Sequence, residues 1–383
     1  MKLLSGINDG AEYASNRINA VNQQHKFRYI PGFDFLRGFA VLLVLLLHGS
    51  YGFFKGGWIG VDLFFVLSGY LITSLLLNEY QNSGEIAISK FYIRRALRLF
   101  PALIVCIIMA NALWPLTNFY GGAIQKRATI AALFYFTNLI PGDISGNMEH
   151  LWSLSVEEHF YFIFPVLASF FLFKISLRNC IIFLLLFIFG ISTFRICVYN
   201  NILRFADGFL VIDTYRFTLC RIDSILFGSV LAVVLSRINF KEVTIKKNLA
   251  TLYLIVILAL FVIVLFTVNH QNIFWNNGGF IFTNLLCLSA VLIVTRNPFH
   301  FLLSNKIFRW IGKRSYGIYL YHFPIFQASD GLRQHHSLVN FLLVTIFRFG
   351  ITFLLAEVSY KYIEQPILKI KKRYEVSKVI DVL

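Results

Sequence analysis

The stretch VLLVLLLHGS, Val41–Ser50, sets seven aliphatic residues in an unbroken row and closes them with a histidine. With the preceding FDFLRGFA it gives an apolar run over 33–51, close to the ~20 residues that a helix needs to cross a bilayer. Comparable runs follow at 58–79, 99–117, 151–173, 180–198, 216–236, 249–268, 279–295, 315–329 and 338–363. The composition agrees: 57% of the 383 residues are hydrophobic and 14% charged, and the mean hydropathy is +0.69. So few polar side chains cannot cover a soluble globule of this length. The expected fold class is an all-α integral membrane bundle of about ten transmembrane helices, both termini cytoplasmic.

The net charge of +16 is distributed as membrane insertion requires. With that orientation the cytoplasmic segments hold 24 Lys and Arg and the exterior loops five, Lys55, Lys126, Arg127, Arg204 and Arg333. This is the positive-inside bias, and it removes the need for a nucleic-acid partner. Ala128–Ile140, ATIAALFYFTNLI, is too short for a clean crossing and reads as a re-entrant or interfacial piece; a crossing there would change the count or the orientation. Residues 1–30 lack the features of a signal peptide and read as a cytoplasmic polar tail. The expected organisation is this tail, a transmembrane domain over 31–366, and a basic cytoplasmic tail over 367–383 with no appended soluble domain. Five cysteines, odd in number and without CxxC spacing, imply neither disulfides nor metal. The larger exterior segments, 118–150 and 199–215, are where an outside ligand would touch.

Burying an ionisable side chain in hydrocarbon costs at least ~2.5 kcal/mol, so each one needs a partner or a function. Asp34 and Arg37 are three apart on one face of the first helix, where a local ion pair or snorkelling accounts for them. His48 lies roughly 16 Å beyond Arg37 along the axis, near the outer interface. Asp62 on the second helix and Glu157 and Glu158 on the fourth fall in the same outer layer. A histidine that takes a proton needs a carboxylate to fix its tautomer and stabilise its protonated form; a polar cluster that only fastens helices is the alternative. At the cytoplasmic side Arg95 and Arg98 share a helix face, as phosphate-binding forks or as ordinary topogenic anchors. Arg221 and Asp223 in the sixth span suggest mutual charge compensation. His322 of the ninth is a candidate for lining a cavity, while the tyrosines around it, Tyr316, Tyr319 and Tyr321, suit an interfacial anchor.

These residues together resemble the membrane acyltransferase 3 family, bacterial O-acyltransferases of cell-surface polysaccharides and related acceptors. The resemblance runs from about Phe33 to Pro366 and rests on FDFLRGFAVLLVLLLH, GWIGVDLFFVLSGYLI, FYIRRALRLFPAL, LWSLSVEEHFYFIFP, LCRIDSILFGSVLA, SYGIYLYHFPI and YIEQP in order. It implies transfer of an acyl group, usually acetyl, from cytoplasmic acyl-CoA to an acceptor at the outer face. It also implies that Arg37 and His48 are the essential Arg/His pair, Arg95 and Arg98 the arginine motif, and Glu157 and Glu158 the acidic motif. Phe64, Phe65, Ser68 and Gly69 match the second-span signature.

The expected catalytic set is therefore His48, Glu157, Glu158 and Asp62. Arg37, Arg95, Arg98, Ser68 and Gly69 would hold acyl-CoA, and Arg221, Asp223, His322 and Tyr316 would face substrate; no metal is expected. His48 would act as general base with Glu157 or Asp62 orienting its ring, or would carry the acyl group covalently. Ser68 and Gly69 would let the pantetheine arm pass or would pack helices closely. Expected partners are the lipid bilayer, acyl-CoA and an envelope polysaccharide or glycolipid, in the bacterial cytoplasmic (inner) membrane. A transporter or flippase of an envelope precursor is the rival class, but its usual matched halves have no counterpart here: the unusual residues crowd into the first 160 positions.

Overall fold

The computed structural model describes residues 29–50, 52–117, 121–202, 213–236, 247–269, 271–296, 305–332, 337–371 and 374. Both expected tails lie largely outside the described residues, as do most of 203–212 and the ends of several loops. Among the described residues every regular element is helical. The long helices are α1 (Pro31–Gly49), α2 (Ile59–Ser83), α3 (Ile88–Leu113), α4 (Gly122–Leu133), α5 (Trp152–Leu167), α6 (Leu177–Tyr199), α7 (Thr218–Leu235), α8 (Lys247–Thr267), α9 (Phe280–Arg296), α10 (Lys306–Ala328) and α11 (Leu338–Ser359). Their ends follow local chemistry. Pro31 opens α1 with a φ already set for a first turn, and Gly84 closes α2 at φ 75°, where a side chain would be strained.

Eight helical segments are long and apolar enough to cross a membrane, counted among the described residues. Two of the ten expected spans fall outside that set for different reasons. The 249–268 run is a helix whose described apolar part, Thr251–Thr267, is short. The 315–329 run is the second half of α10, which starts at Lys306 and carries Arg309, Lys313 and Arg314 in its first turns. Ala128–Ile140 does not form one helix: α4 ends at Leu133, and Tyr135 takes φ 58° in the turn that follows. A 12-residue helix spans only about 18 Å, well short of the hydrocarbon core.

The bundle is ordered by burial. In α2, 78% of the most apolar window is buried, against 28% in α6 and 17% in the segment containing α11, so α2 is central and the other two face outward. The exposed faces carry residues such as Phe189, Ile255 and Leu343, suited to lipid. Two reciprocal glycine contacts set the central spacing. A Cβ on Gly69 would lie 1.8 Å from the Ile225 carbonyl oxygen and one on Gly228 1.9 Å from that of Val66, so α2 and α7 touch backbone to backbone. In the same way a Cβ on Gly312 would lie 1.8 Å from the Asp34 oxygen and one on Gly38 2.5 Å from that of Phe308, which clamps α10 against α1. Small residues at such crossings are how bundles gain contact in a bilayer.

Candidate active site

One half of the site begins with a proline. Pro324 stands inside α10, and having no N–H it cannot bond the carbonyl four residues back. That carbonyl, of Leu320, instead accepts from Nε2 of His150 at 3.0 Å and from the Cys106 thiol at 3.1 Å. His150 is thereby brought from the turn before α5 against the His322 ring, with centroids 5.2 Å apart. His322 sits at 0% exposure; its Nδ1 lies 2.5 Å from the Tyr319 carbonyl and its Nε2 3.1 Å from Nδ1 of His48. Three imidazoles from α1, α10 and the turn before α5 form one cluster, and only His48 among them is partly exposed.

The other half is a pocket between α1, α2, α3, α5 and α10. Arg37, Arg95 and Arg98 line it together with Ser68, Glu157 and Tyr316. Nε of Arg95 and Nη1 of Arg98 are buried without a hydrogen-bond partner. The Arg95 guanidinium lies 3.9 Å from the Tyr161 ring centre. Glu157 accepts from the Tyr161 hydroxyl at 2.7 Å and from Ser68 at 3.3 Å, which leaves it as the acidic wall facing the arginines. Arg37 is held more loosely, 3.4 Å from Asp34, the local pair expected three residues apart. Tyr316 donates to the Leu99 carbonyl at 2.8 Å.

Tyr319 joins the two halves. It lines the pocket, its hydroxyl donates to the His150 carbonyl at 2.8 Å, and Ser153 lies 2.6 Å from that hydroxyl. Its ring centre is 5.4 Å from that of His322. The arrangement can therefore hold an anionic group at the arginines and present a hydrogen-bonding base beyond the tyrosine wall. Among the described residues no group of three or more His, Cys, Asp or Glu is placed to hold a metal ion.

Several expected placements are corrected. Neither Glu157 nor Asp62 bonds the His48 ring; its side-chain partner is His322. Asp62 is fully buried and paired with Arg221, with Thr283 donating to its other oxygen at 2.9 Å. Arg221 and Asp223 form no direct ion pair: Asp223 pairs with Arg195 at 3.0 Å. Residues two apart on a helix point to opposite sides, so the direct partner of each comes from another helix. These two ion pairs fasten α2, α6, α7 and α9 and lie outside the pocket lining. Gly69 packs on the α7 backbone, so of the Ser68–Gly69 pair only the serine lines the pocket. Glu158, next to Glu157 on α5, is also absent from the lining. Sequence reasoning missed His150 and Ser153; the signal for the first was Pro324, whose orphaned carbonyl demands a donor from elsewhere. Segment 137–149, expected to be exterior, is not loose, since Arg216 donates to Glu149 at 2.9 Å and to the Ile140 carbonyl at 2.5 Å.

The chain belongs to the acyltransferase 3 family, whose acyltransferase domain matches residues 30–357. It is 35% identical over 364 residues to the O-acetyltransferase OatA of Staphylococcus aureus strain NCTC 8325 / PS 47, covering 89% of this chain and 58% of that protein. The O-acetyltransferase OatA of strain COL matches to the same extent, 35% over 364 residues. The chain thus spans less than two thirds of the length of these relatives. No solved structure matches it.

Proposed function

We propose that the chain transfers an acyl group, acetyl by its likeness to O-acetyltransferases, from cytoplasmic acyl-CoA to a hydroxyl of an envelope polysaccharide or glycolipid. Transfer takes place at the outer side of a bacterial cytoplasmic membrane that the chain spans about ten times, with both termini cytoplasmic. The observation that carries this reading is the pair of half-buried guanidiniums of Arg95 and Arg98, each with one nitrogen lacking a hydrogen-bond partner, in a pocket whose far wall, Tyr319, abuts the imidazole cluster. A buried N–H without an acceptor is costly, and phosphate oxygens of coenzyme A supply the missing acceptors.

Arg95, Arg98 and Arg37 bind the donor's phosphates. Ser68, Tyr316 and Tyr319 line the path of its pantetheine arm, which is comparable in length to the roughly 16 Å from Arg37 to His48. His48 removes the proton from the acceptor hydroxyl as its oxygen attacks the thioester carbonyl. The carbon–sulfur bond then breaks, and the proton held by His48 passes to the departing thiolate, so ester and free coenzyme A leave in balance. Glu157 faces the arginines as counter-charge and positions them, while Asp62 belongs to the scaffold.

The test uses membrane vesicles of expressing cells, which carry their own envelope acceptors, supplied with acetyl-labelled acetyl-CoA. Label in polysaccharide or glycolipid together with coenzyme A release is expected for the wild type, and neither for His48→Ala. Labelling by His48→Ala at the wild-type rate would remove the histidine from the chemistry.

A further inference from the structure

We propose that His322 is the positioning residue that fixes the protonation pattern of His48, leaving Nε2 of His48 as the atom that takes the acceptor's proton. This deepens the proposed function and rests on its reading of His48 as the base.

The argument is a chain of donors and acceptors. A backbone carbonyl only accepts, so the Tyr319 oxygen 2.5 Å away requires a hydrogen on Nδ1 of His322. A neutral imidazole has one N–H, and Nε2 of His322 is therefore a lone pair. That lone pair lies 3.1 Å from Nδ1 of His48, which must be the donor. The neutral ring has a single N–H, and it is the one on Nδ1. Nε2 of His48 is left unprotonated on the one ring of the cluster with exposure.

The helix geometry makes this pattern hard to avoid. Gly38 and Gly312 press α1 and α10 together near the inner side, and His48 and His322 each follow ten residues later on parallel helices. His322 is fully buried between the Tyr319 carbonyl, the His150 ring and His48, so it cannot turn without losing a bond. A carboxylate would orient the same hydrogen, but an ionised one in this buried layer carries a large desolvation cost. A neutral imidazole acceptor does the work without a second buried charge. The same logic applied to His150, which bonds the Leu320 carbonyl through Nε2, leaves its Nδ1 as a buried lone pair without a partner.

The deciding measurement is nitrogen NMR of histidine-labelled full-length protein in lipid nanodiscs, with the His48 signals assigned by their loss in His48→Ala. A protonated Nδ1 and an unprotonated Nε2 on His48 are expected; the reverse tautomer overturns the proposal, and this readout needs no variant at position 322. The kinetic arm measures coenzyme A release from acetyl-CoA by the vesicles described above. His322→Ala should lower kcat by about tenfold, the worth of one neutral hydrogen bond, with KM for acetyl-CoA unchanged. His322→Gln, whose side-chain oxygen can stand where Nε2 stood, should recover most of that loss. Equal losses in both variants would make His322 a packing residue and sink the proposal. Wild-type kcat in His322→Ala beside an inert His48→Ala would remove the positioning role alone, whereas an active His48→Ala would instead bring down the base itself.

Discussion

His322 Nε2 stands 3.1 Å from His48 Nδ1 although 274 residues separate them in the chain. The contact exists because glycine crossings hold α1 and α10 at backbone distance, because the Tyr319 carbonyl holds the His322 ring, and because the Leu320 carbonyl freed by Pro324 brings in a third imidazole, His150. Four outcomes follow from the surroundings of this pair.

Arg95→Ala and Arg98→Ala should each weaken the donor without touching the chemistry. Hydrogen bonds to charged groups contribute ~1.5–3 kcal/mol, so KM for acetyl-CoA should rise roughly ten- to a hundredfold with kcat little changed. Isothermal titration of detergent-solubilised protein with desulfo-type coenzyme A analogues checks the binding part. Unaltered affinity in both variants would return these arginines to the role of topogenic anchors.

Asp62→Asn separates a scaffold role from a catalytic one. Removing one charge of a fully buried pair leaves Arg221 uncompensated, at a cost of ~3–5 kcal/mol. The variant should lose folded yield and melt earlier in a thermal size-exclusion assay. A protein that melts like the wild type and is inert would place Asp62 back among the reacting groups.

Gly312→Val forces a side chain against the Asp34 carbonyl, where even a Cβ would lie 1.8 Å away. It should part α10 from α1, and both stability and transfer should fall together. Gly190→Ala is the control, because a Cβ there meets nothing within 4 Å and replacing a helical glycine by alanine stabilises by up to about 1 kcal/mol. Matching melting temperatures for the two variants would contradict the close crossing.

Pro324→Ala returns an N–H to α10, which competes with His150 for the Leu320 carbonyl. The expected result is unchanged or higher thermal stability with transfer reduced by about tenfold, the value of one lost hydrogen bond. Full activity in this variant would mean that the orphaned carbonyl has no part in ordering the cluster.

The chain's own letters determined the helical class, most of the long apolar helices and the place of each polar residue along its helix, because apolar run length and helical rise are local quantities. They also determined that Arg95 and Arg98 share a face, and left Asp34 and Arg37 between a local ion pair and snorkelling. Depth, however, does not fix direction round the helix axis relative to a distant neighbour. His48, Asp62 and Glu157 were legible as residues of three outer helix ends, yet Asp62 turns to Arg221, Glu157 to Ser68 and Tyr161, and His48 to His322. Those choices are made where helices far apart in sequence press together at Gly38, Gly69, Gly228 and Gly312, and only the assembled bundle sets which faces meet.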